Sequence, residues 1–157
     1  MKKEQIERAF HQLGKVMRHF GTSATWEGFE LGITDKEHQD FNELILKQKH
    51  YNGWFTEDMV RKSLLNLGAL LSEKQLNSWT SRYDFTESPN TVAVIMAGNI
   101  PLVGFHDFLS VLISGHKILV KLSSDDKYLL PSLASFLGVF EPELKDRIQF
   151  SEGKISN

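Results

Sequence analysis

The sequence predicts an α/β protein, in which a helical N-terminal region precedes the opening of a doubly wound parallel sheet. Three observations support this prediction. Apolar residues recur at helical spacing through the first half of the chain. A turn signal at residues 88–90 then gives way to two continuous apolar strands joined by a helix. The sequence ends before such a sheet is complete, so we expect an incomplete one.

The composition is typical of a soluble globular domain. The chain has 157 residues, of which 41% are hydrophobic and 24% charged, and its formal net charge is −2. This charge gives no electrostatic reason to expect nucleic acid or an anionic membrane as a partner. We find no apolar run of membrane-spanning length and no signal-peptide core, and therefore expect a cytoplasmic protein. The absence of cysteine excludes disulfides, thiolate metal sites and a cysteine nucleophile within these residues.

Four helices are predicted before residue 88. The apolar stripe of the first helix stops at Gly21, which suits the position just after a helix end. The expected N-caps of the next three helices are Thr34, Thr56 and Ser72. Thr34 and Ser72 are followed three residues later by Glu37 and Gln75, the pattern of a capping box. The apolar stripes of these helices are expected to be packing surfaces rather than ligand sites.

Strands and helices alternate from residue 89 onwards, and we divide the chain there into a helical region, 1–88, and an α/β region, 89–157. The predicted order is a strand at Thr91–Met96, a helix at about 102–114, a strand at Lys117–Leu122, a helix at about 126–137, a short helix from Pro142 and a strand at about 147–150. Such strands predict a parallel sheet covered on both faces. Because so small a sheet has open edges, we expect self-association into a homo-oligomer or low stability.

Two polar side chains stand where a parallel sheet binds ligands. Asn99 follows the first strand and Lys121 ends the second, so both should lie at the carboxyl edge of the sheet. A carboxamide can stabilise a developing oxyanion, and an ammonium suits ribose hydroxyls or phosphate. A simple turn at Asn99, and a Lys121 that extends its charge to solvent, explain the same residues equally well.

Other motifs give no site. Neither a G-x-G-x-x-G sequence nor a Walker A sequence follows the first strand, and the six histidines have no metal-ligand spacing. His106 and Asp107 are adjacent in a predicted helix and point in different directions, so packing or capping is their expected role. Ser124 or Asp125 is predicted to cap the helix after the second strand.

A longer stretch carries a family resemblance. The segment VAVIMAGNIPLVGFHDFLSVLISGHKILVKLSSDDKYLLPSLASFL, with WFTEDMV, SRYDF and RIQF, resembles the LuxC-type acyl-CoA reductases of the aldehyde dehydrogenase superfamily. The resemblance implies an incomplete Rossmann-like sheet of the aldehyde dehydrogenase type, with 89–157 as the first part of a cofactor-binding domain. It also implies NADPH-dependent reduction of a fatty acyl group, carried by CoA or another acyl carrier, through a cysteine acyl-enzyme. Some relatives work with an acyl-transferring partner enzyme.

The same resemblance assigns roles to residues at the strand ends. Asn99 takes the place of the oxyanion donor, and Lys121 that of the lysine that contacts the adenosine ribose. The residues expected to line the cofactor pocket are Met96, Ala97, Gly98, Lys121, Ser123 and Ser124. Ser124 stands where many aldehyde dehydrogenases have a glutamate, which would repel a 2′-phosphate, so NADPH is expected rather than NADH.

Three functions remain open. Because the family's cysteine is absent, we expect these 157 residues to be a truncated reductase that is inactive alone. The alternative is a non-catalytic nucleotide-binding or assembly module of the same fold. A reductase of acyl phosphates, such as a relative of glutamyl-phosphate reductase, is the third, and the helical region and the MAGNIPLVGFHDF segment argue against it.

Overall fold

The computed structural model describes residues 1–151 and 153, and it confirms the predicted types and order of the elements. The helices are α1 (Lys3–Thr22), α2 (Asp35–Tyr51), α3 (Glu57–Leu70), α4 (Glu73–Thr80), α5 (Phe105–Ile113) and α6 (Leu129–Phe140). The strands are β1 (Thr91–Ile95), β2 (Lys117–Lys121) and β3 (Ile148–Ser151), and a 3-10 helix (Pro142–Arg147) precedes β3. Helices α5 and α6 both begin three residues later than predicted.

The sheet is parallel and its strands follow one another in chain order, β1-β2-β3. Their carboxyl ends are level, because Ile95 pairs with Lys121 and Lys121 with Ser151. This arrangement is the incomplete Rossmann-like sheet that the sequence predicted.

Only one face of this sheet is covered in the described part of the chain. Ile118 and Val120 of β2 are buried beneath the helices, whereas Ile95 on the opposite face is 75% exposed. The expectation of two covered faces was therefore wrong for these residues. The connections from β1 to β2 and from β2 to β3 run in the same direction across the sheet. Right-handed crossovers that run in the same direction place their helices on the same face of the sheet.

The helical region packs directly onto the helices of the sheet. Phe10 of α1 makes edge contacts with Phe105 and Phe108 of α5, with ring centroids 6.3 and 6.2 Å apart. Phe41 of α2 likewise meets Phe136 of α6 at 5.4 Å. Aromatic pairs of this geometry stabilise beyond the area that they bury. One hydrophobic core thus runs through both regions, and a boundary near residue 88 stays a prediction.

Helices α1 and α3 cross closely at glycines. An added Cβ on Gly21 would lie 2.7–2.8 Å from the backbone and Cβ of Leu65, and one on Gly14 would lie 3.1 Å from the carbonyl oxygen of Gly68. The prediction that Gly21 ends α1 was wrong, because the helix continues to Thr22 and Ser23 is the left-handed cap (φ 56°). Gly21 is therefore a packing residue.

The predicted caps have mixed outcomes. The box at Thr34 is confirmed: the Glu37 N–H donates to Thr34 Oγ1 (3.2 Å) and the Thr34 N–H donates to Glu37 Oε2 (2.8 Å). The cap at Thr56 is also confirmed. The box at Ser72 was wrong: Ser72 is the N-cap residue of α4, but its side chain makes no capping hydrogen bond, and its N–H donates to the carbonyl of Ala69 in the last turn of α3.

No helix in residues 1–151 is at once long enough and apolar enough to cross a membrane.

Candidate functional site

The carboxyl ends of β1 and β2 form one continuous edge. Ile95 and Lys121 are paired, and the Met96 N–H donates to the Lys121 carbonyl at 2.9 Å. The chain leaves β1 through residues 96–104, which we call the first edge loop, and leaves β2 through residues 122–128, the second edge loop. Asn99 lies in the first edge loop, so the structure places it at the same end of the sheet as Lys121.

The two edge loops are in direct contact at Gly98. This residue is buried, and an added Cβ would lie 2.7 Å from the Cβ of Ser123 and 3.1 Å from that of Asp125. Real side chains do not approach so closely, so the contact requires a residue without a Cβ. The glycine thus sets how closely the loop that carries Asn99 approaches the end of β2.

A buried carboxylate joins the same loops at a second point. Asp126 is only 6% exposed, and its Oδ2 accepts a hydrogen bond of 2.8 Å from the Leu102 N–H. Its Oδ1 is buried and has no partner among the described residues. Burial raises the pKa of Asp126 to about 6, and the hydrogen bond from Leu102 only partly opposes this shift. Leu102 itself has a left-handed backbone, with φ of 61°.

Sequence reasoning missed Asp126. Ser124 or Asp125 was predicted to cap the following helix, and this was wrong: α6 begins at Leu129, with Tyr128 at its N-cap position and no side-chain capping bond. Instead, the Asp125 N–H donates to Ser123 Oγ at 3.2 Å, within the turn that directs Asp126 inward. The only signal in the sequence was a second aspartate directly after the expected cap.

The predicted polar groups are accessible at the edge. Asn99 and Ser124 are exposed, and Lys121 is half-buried on the uncovered face of β2. Within residues 1–151 and 153, neither the Asn99 carboxamide nor the Lys121 ammonium has a hydrogen-bond partner. Ser123 is half-buried between the loops. The side chains of Asn99, Lys121 and Ser124 therefore offer polar groups to solvent at this edge.

The residues between β1 and Asn99 differ in their surroundings. The Met96 side chain is 8% exposed and lies against Gly104, whose added Cβ would be 2.7 Å from Met96 Cγ. Ala97 is exposed and Gly98 is buried. The Met96 side chain therefore belongs to the core.

An aromatic surface borders the second edge loop. The rings of Tyr51 and Tyr128 are 4.6 Å apart, and Asn52 Nδ2 donates to the Asp125 carbonyl at 3.3 Å. Trp54, two residues after Asn52, is 80% exposed. The turn between α2 and α3 thus forms one border of the edge, a feature that the sequence did not indicate.

His106 lies elsewhere, at the start of α5. It is exposed and borders a cleft of about 470 Å³ between α4 and α5. Its ring centroid is 5.5 Å from that of Trp79, and its backbone carbonyl accepts a hydrogen bond from Ser110 Oγ. No metal-binding cluster of His, Asp and Glu occurs in the described part of the chain.

Comparison with known families decides the assignment. A family model described as "Acyl-CoA reductase (LuxC)" matches residues 25–150, which is most of the chain. The chain belongs to the LuxC acyl-CoA reductase family. No curated protein and no solved structure gives a significant match. Membership of the LuxC family implies an acyl substrate and a nucleotide cofactor, and the family falls within the aldehyde dehydrogenase superfamily.

The carboxyl edge of this LuxC-family chain presents hydrogen-bond donors at its surface. The Lys121 ammonium and the Ser124 hydroxyl are groups that can donate to ribose or phosphate oxygens. The carboxylate of Asp126 is turned inward and buried, away from solvent. The donor set is therefore suited to an anionic ligand.

Proposed function

We propose that this chain supplies the cofactor wall and the oxyanion donor of an NADPH-dependent acyl-CoA reductase, which converts a fatty acyl thioester to an aldehyde. One observation carries the proposal: the Asn99 carboxamide and the Lys121 ammonium share one edge of the sheet in a LuxC-family chain. NADPH, when bound, supplies the hydride. We further propose a cytoplasmic location.

Asn99 has a role in acyl transfer under this proposal. A thiolate attacks the thioester carbonyl, negative charge develops on the oxygen, and the CoA thiolate leaves as the carbonyl re-forms. The Asn99 Nδ2 donates to that oxygen and stabilises the charge. Because the sequence contains no cysteine, the attacking thiol has to come from outside these 157 residues.

Lys121 and Ser124 have the cofactor role. The Lys121 ammonium attracts phosphate and donates to ribose hydroxyls, while the neutral, exposed Ser124 places no negative charge beside a 2′-phosphate. A glutamate at that position would accept from the 2′-hydroxyl of NADH and repel NADPH. The proposed cofactor is therefore NADPH.

The nucleotide proposal can be tested on this chain by NMR titration with 2′,5′-ADP and with AMP. We expect 2′,5′-ADP to bind about tenfold more tightly, because the extra phosphate meets Lys121, and to shift the amides of both edge loops. Lys121→Ala should remove about that tenfold gain. Lys117→Ala is the matched control, because Lys117 lies on the same face at the other end of β2. Equal binding of both nucleotides, or equal effects of the two substitutions, would contradict the proposal.

The chemical proposal has its own test. The chain alone should form no aldehyde from acyl-CoA and NADPH. In a protein that contains both these residues and the thiol, Asn99→Ala should lower kcat roughly 100-fold with little change in KM, as expected for a lost oxyanion donor. Asn90→Ala, at the opposite end of β1, should leave kcat unchanged. An unaffected kcat in the Asn99→Ala variant would contradict the assignment of Asn99 as the oxyanion donor of a reductase.

A second candidate is a nucleotide-binding or assembly module without catalysis. It is favoured by the uncovered face of the sheet, where Ile95 is 75% exposed and Leu119 half-buried. A second copy of the chain, or an acyl-transferring partner enzyme, could bury this face. The Asn99 comparison separates the two candidates, because an assembly module requires no oxyanion donor.

A further inference from the structure

The loop that carries Asn99 contains a backbone conformation that has to be held in place. Leu102 is a non-glycine residue with φ of 61°, a conformation that brings Cβ close to the following carbonyl oxygen and that non-glycine residues rarely adopt. Its side chain is 3% exposed, so the residue is also fixed in the core. Such strain persists only where neighbouring groups determine it.

Asp126 provides the group that holds it. The Leu102 N–H donates to Asp126 Oδ2 at 2.8 Å in a buried environment, where hydrogen bonds to ionised or partly ionised groups are strong. Asp126 is itself fixed, because its own N–H donates to the Ser123 carbonyl at 3.3 Å. Ser123 in turn contacts Gly98. The first edge loop is therefore anchored on both sides of Asn99, at residue 98 and at residue 102.

This geometry leaves one role for the carboxylate. It caps no helix, because α6 begins at Leu129 with no side-chain capping bond. It does not reach a ligand at the surface either, since Asp126 is 6% exposed. Among the described residues, the hydrogen bond from the Leu102 N–H is the one that its carboxylate makes with the first edge loop.

We propose that Asp126 is a positioning residue, which fixes the first edge loop so that the Asn99 carboxamide is preorganised to meet the thioester oxygen. The proposal rests on the proposed reductase function. Oxyanion donors are effective because they are already oriented when charge develops. A loosened loop therefore lowers the rate of the chemical step, even though every group that touches the substrate is retained.

The test compares three variants of neighbouring aspartates. Asp126→Ala removes the acceptor, Asp126→Asn keeps an oxygen that accepts from the Leu102 N–H, and Asp125→Ala changes an exposed residue of the same loop. On this chain, amide hydrogen exchange at Leu102 should accelerate about tenfold or more in Asp126→Ala, the effect of one lost hydrogen bond. Exchange should stay near wild type in the other two. If Asp126→Ala does not fold, Asp126→Ser serves, because its shorter side chain cannot reach Leu102.

Kinetics give the second readout, in a protein that also contains the thiol. Asp126→Ala should lower kcat about tenfold with KM for acyl-CoA unchanged, and Asp126→Asn should restore most of it. The proposal is overturned if Asp126→Ala accelerates exchange at Leu102 but leaves kcat unchanged. It is also overturned if folded Asp126→Asn loses as much kcat as Asp126→Ala. Failure of the reductase assignment is recognised separately, since it appears as an unaffected Asn99→Ala variant.

Discussion

Gly21→Val should lower the free energy of unfolding by about 3 kcal/mol, because no side chain fits between α1 and α3 at this position. The added Cβ would lie 2.7 Å from the Leu65 N atom and 2.8 Å from its Cα, and backbone cannot move aside as a flexible side chain can. The two helices would have to separate and disturb the core around Phe20 and Leu64. Overpacking of this kind typically costs 1–3 kcal/mol, and a β-branched residue adds crowding in a helix.

Urea denaturation and thermal melting would measure the effect. For a chain of this size, about 3 kcal/mol corresponds to a fall in Tm of roughly 6–12 °C. Gly53→Val is the control, because nothing lies within 4 Å of a Cβ at Gly53 and its φ is not positive. We expect that control to change stability by less than about 0.5 kcal/mol. Similar losses in both variants would show that the contact with α3 is not what requires Gly21.

Gly21 also shows where prediction from sequence stops. A glycine at the end of an apolar stripe is the usual pattern of a helix stop, and the spacing alone cannot separate it from a glycine that allows two helices to touch. The difference depends on α3, whose Leu65 is 44 positions away in sequence. Thr34 could be predicted because its whole capping box lies within four residues.

In the sheet, too, local features could be predicted from the sequence and long-range ones could not. Its parallel strands and the shared edge of Asn99 and Lys121 were predictable, because parallel strands always align their carboxyl ends. Which faces are covered depends on the direction in which strands are added, and no local pattern encodes that direction. The apolar content of β1 and β2 therefore predicted burial of both faces of the sheet.

The role of Asp126 could not be predicted from the sequence, for a related reason. Its importance depends on the left-handed conformation of Leu102, and nothing in the sequence marks a leucine for that conformation. An aspartate after Ser123-Ser124-Asp125 looks like part of a solvated cap. Only the fold shows that it is turned inward, with one oxygen that has no partner among the described residues.

Burial of this carboxyl predicts an unusual dependence of stability on pH. Its pKa is raised from 3.8 to about 6 in the folded protein, so between these values the native state binds more protons than the unfolded state. Asp126 therefore favours folding fully below about pH 4, and this contribution is lost as the pH rises through 6. A difference of about two pKa units corresponds to roughly 2–3 kcal/mol. Glu37 works in the opposite direction: hydrogen bonds from Thr34 lower its pKa, so its contribution to stability is present at higher pH and is lost as the pH falls.

Asp126→Asn isolates this contribution, because the other groups cancel when the variant is compared with wild type at each pH. The free energy of unfolding of Asp126→Asn, relative to wild type, should rise by about 2–3 kcal/mol between pH 4 and pH 7. Asp125→Asn, which changes the exposed neighbour and leaves the Asp126 carboxyl in place, is the matched control. Parallel stability curves for Asp126→Asn and wild type would mean that the carboxyl is not desolvated in the folded protein. A rising difference would show that ionising the buried Asp126 carboxyl near neutral pH costs stability, as its burial and raised pKa predict.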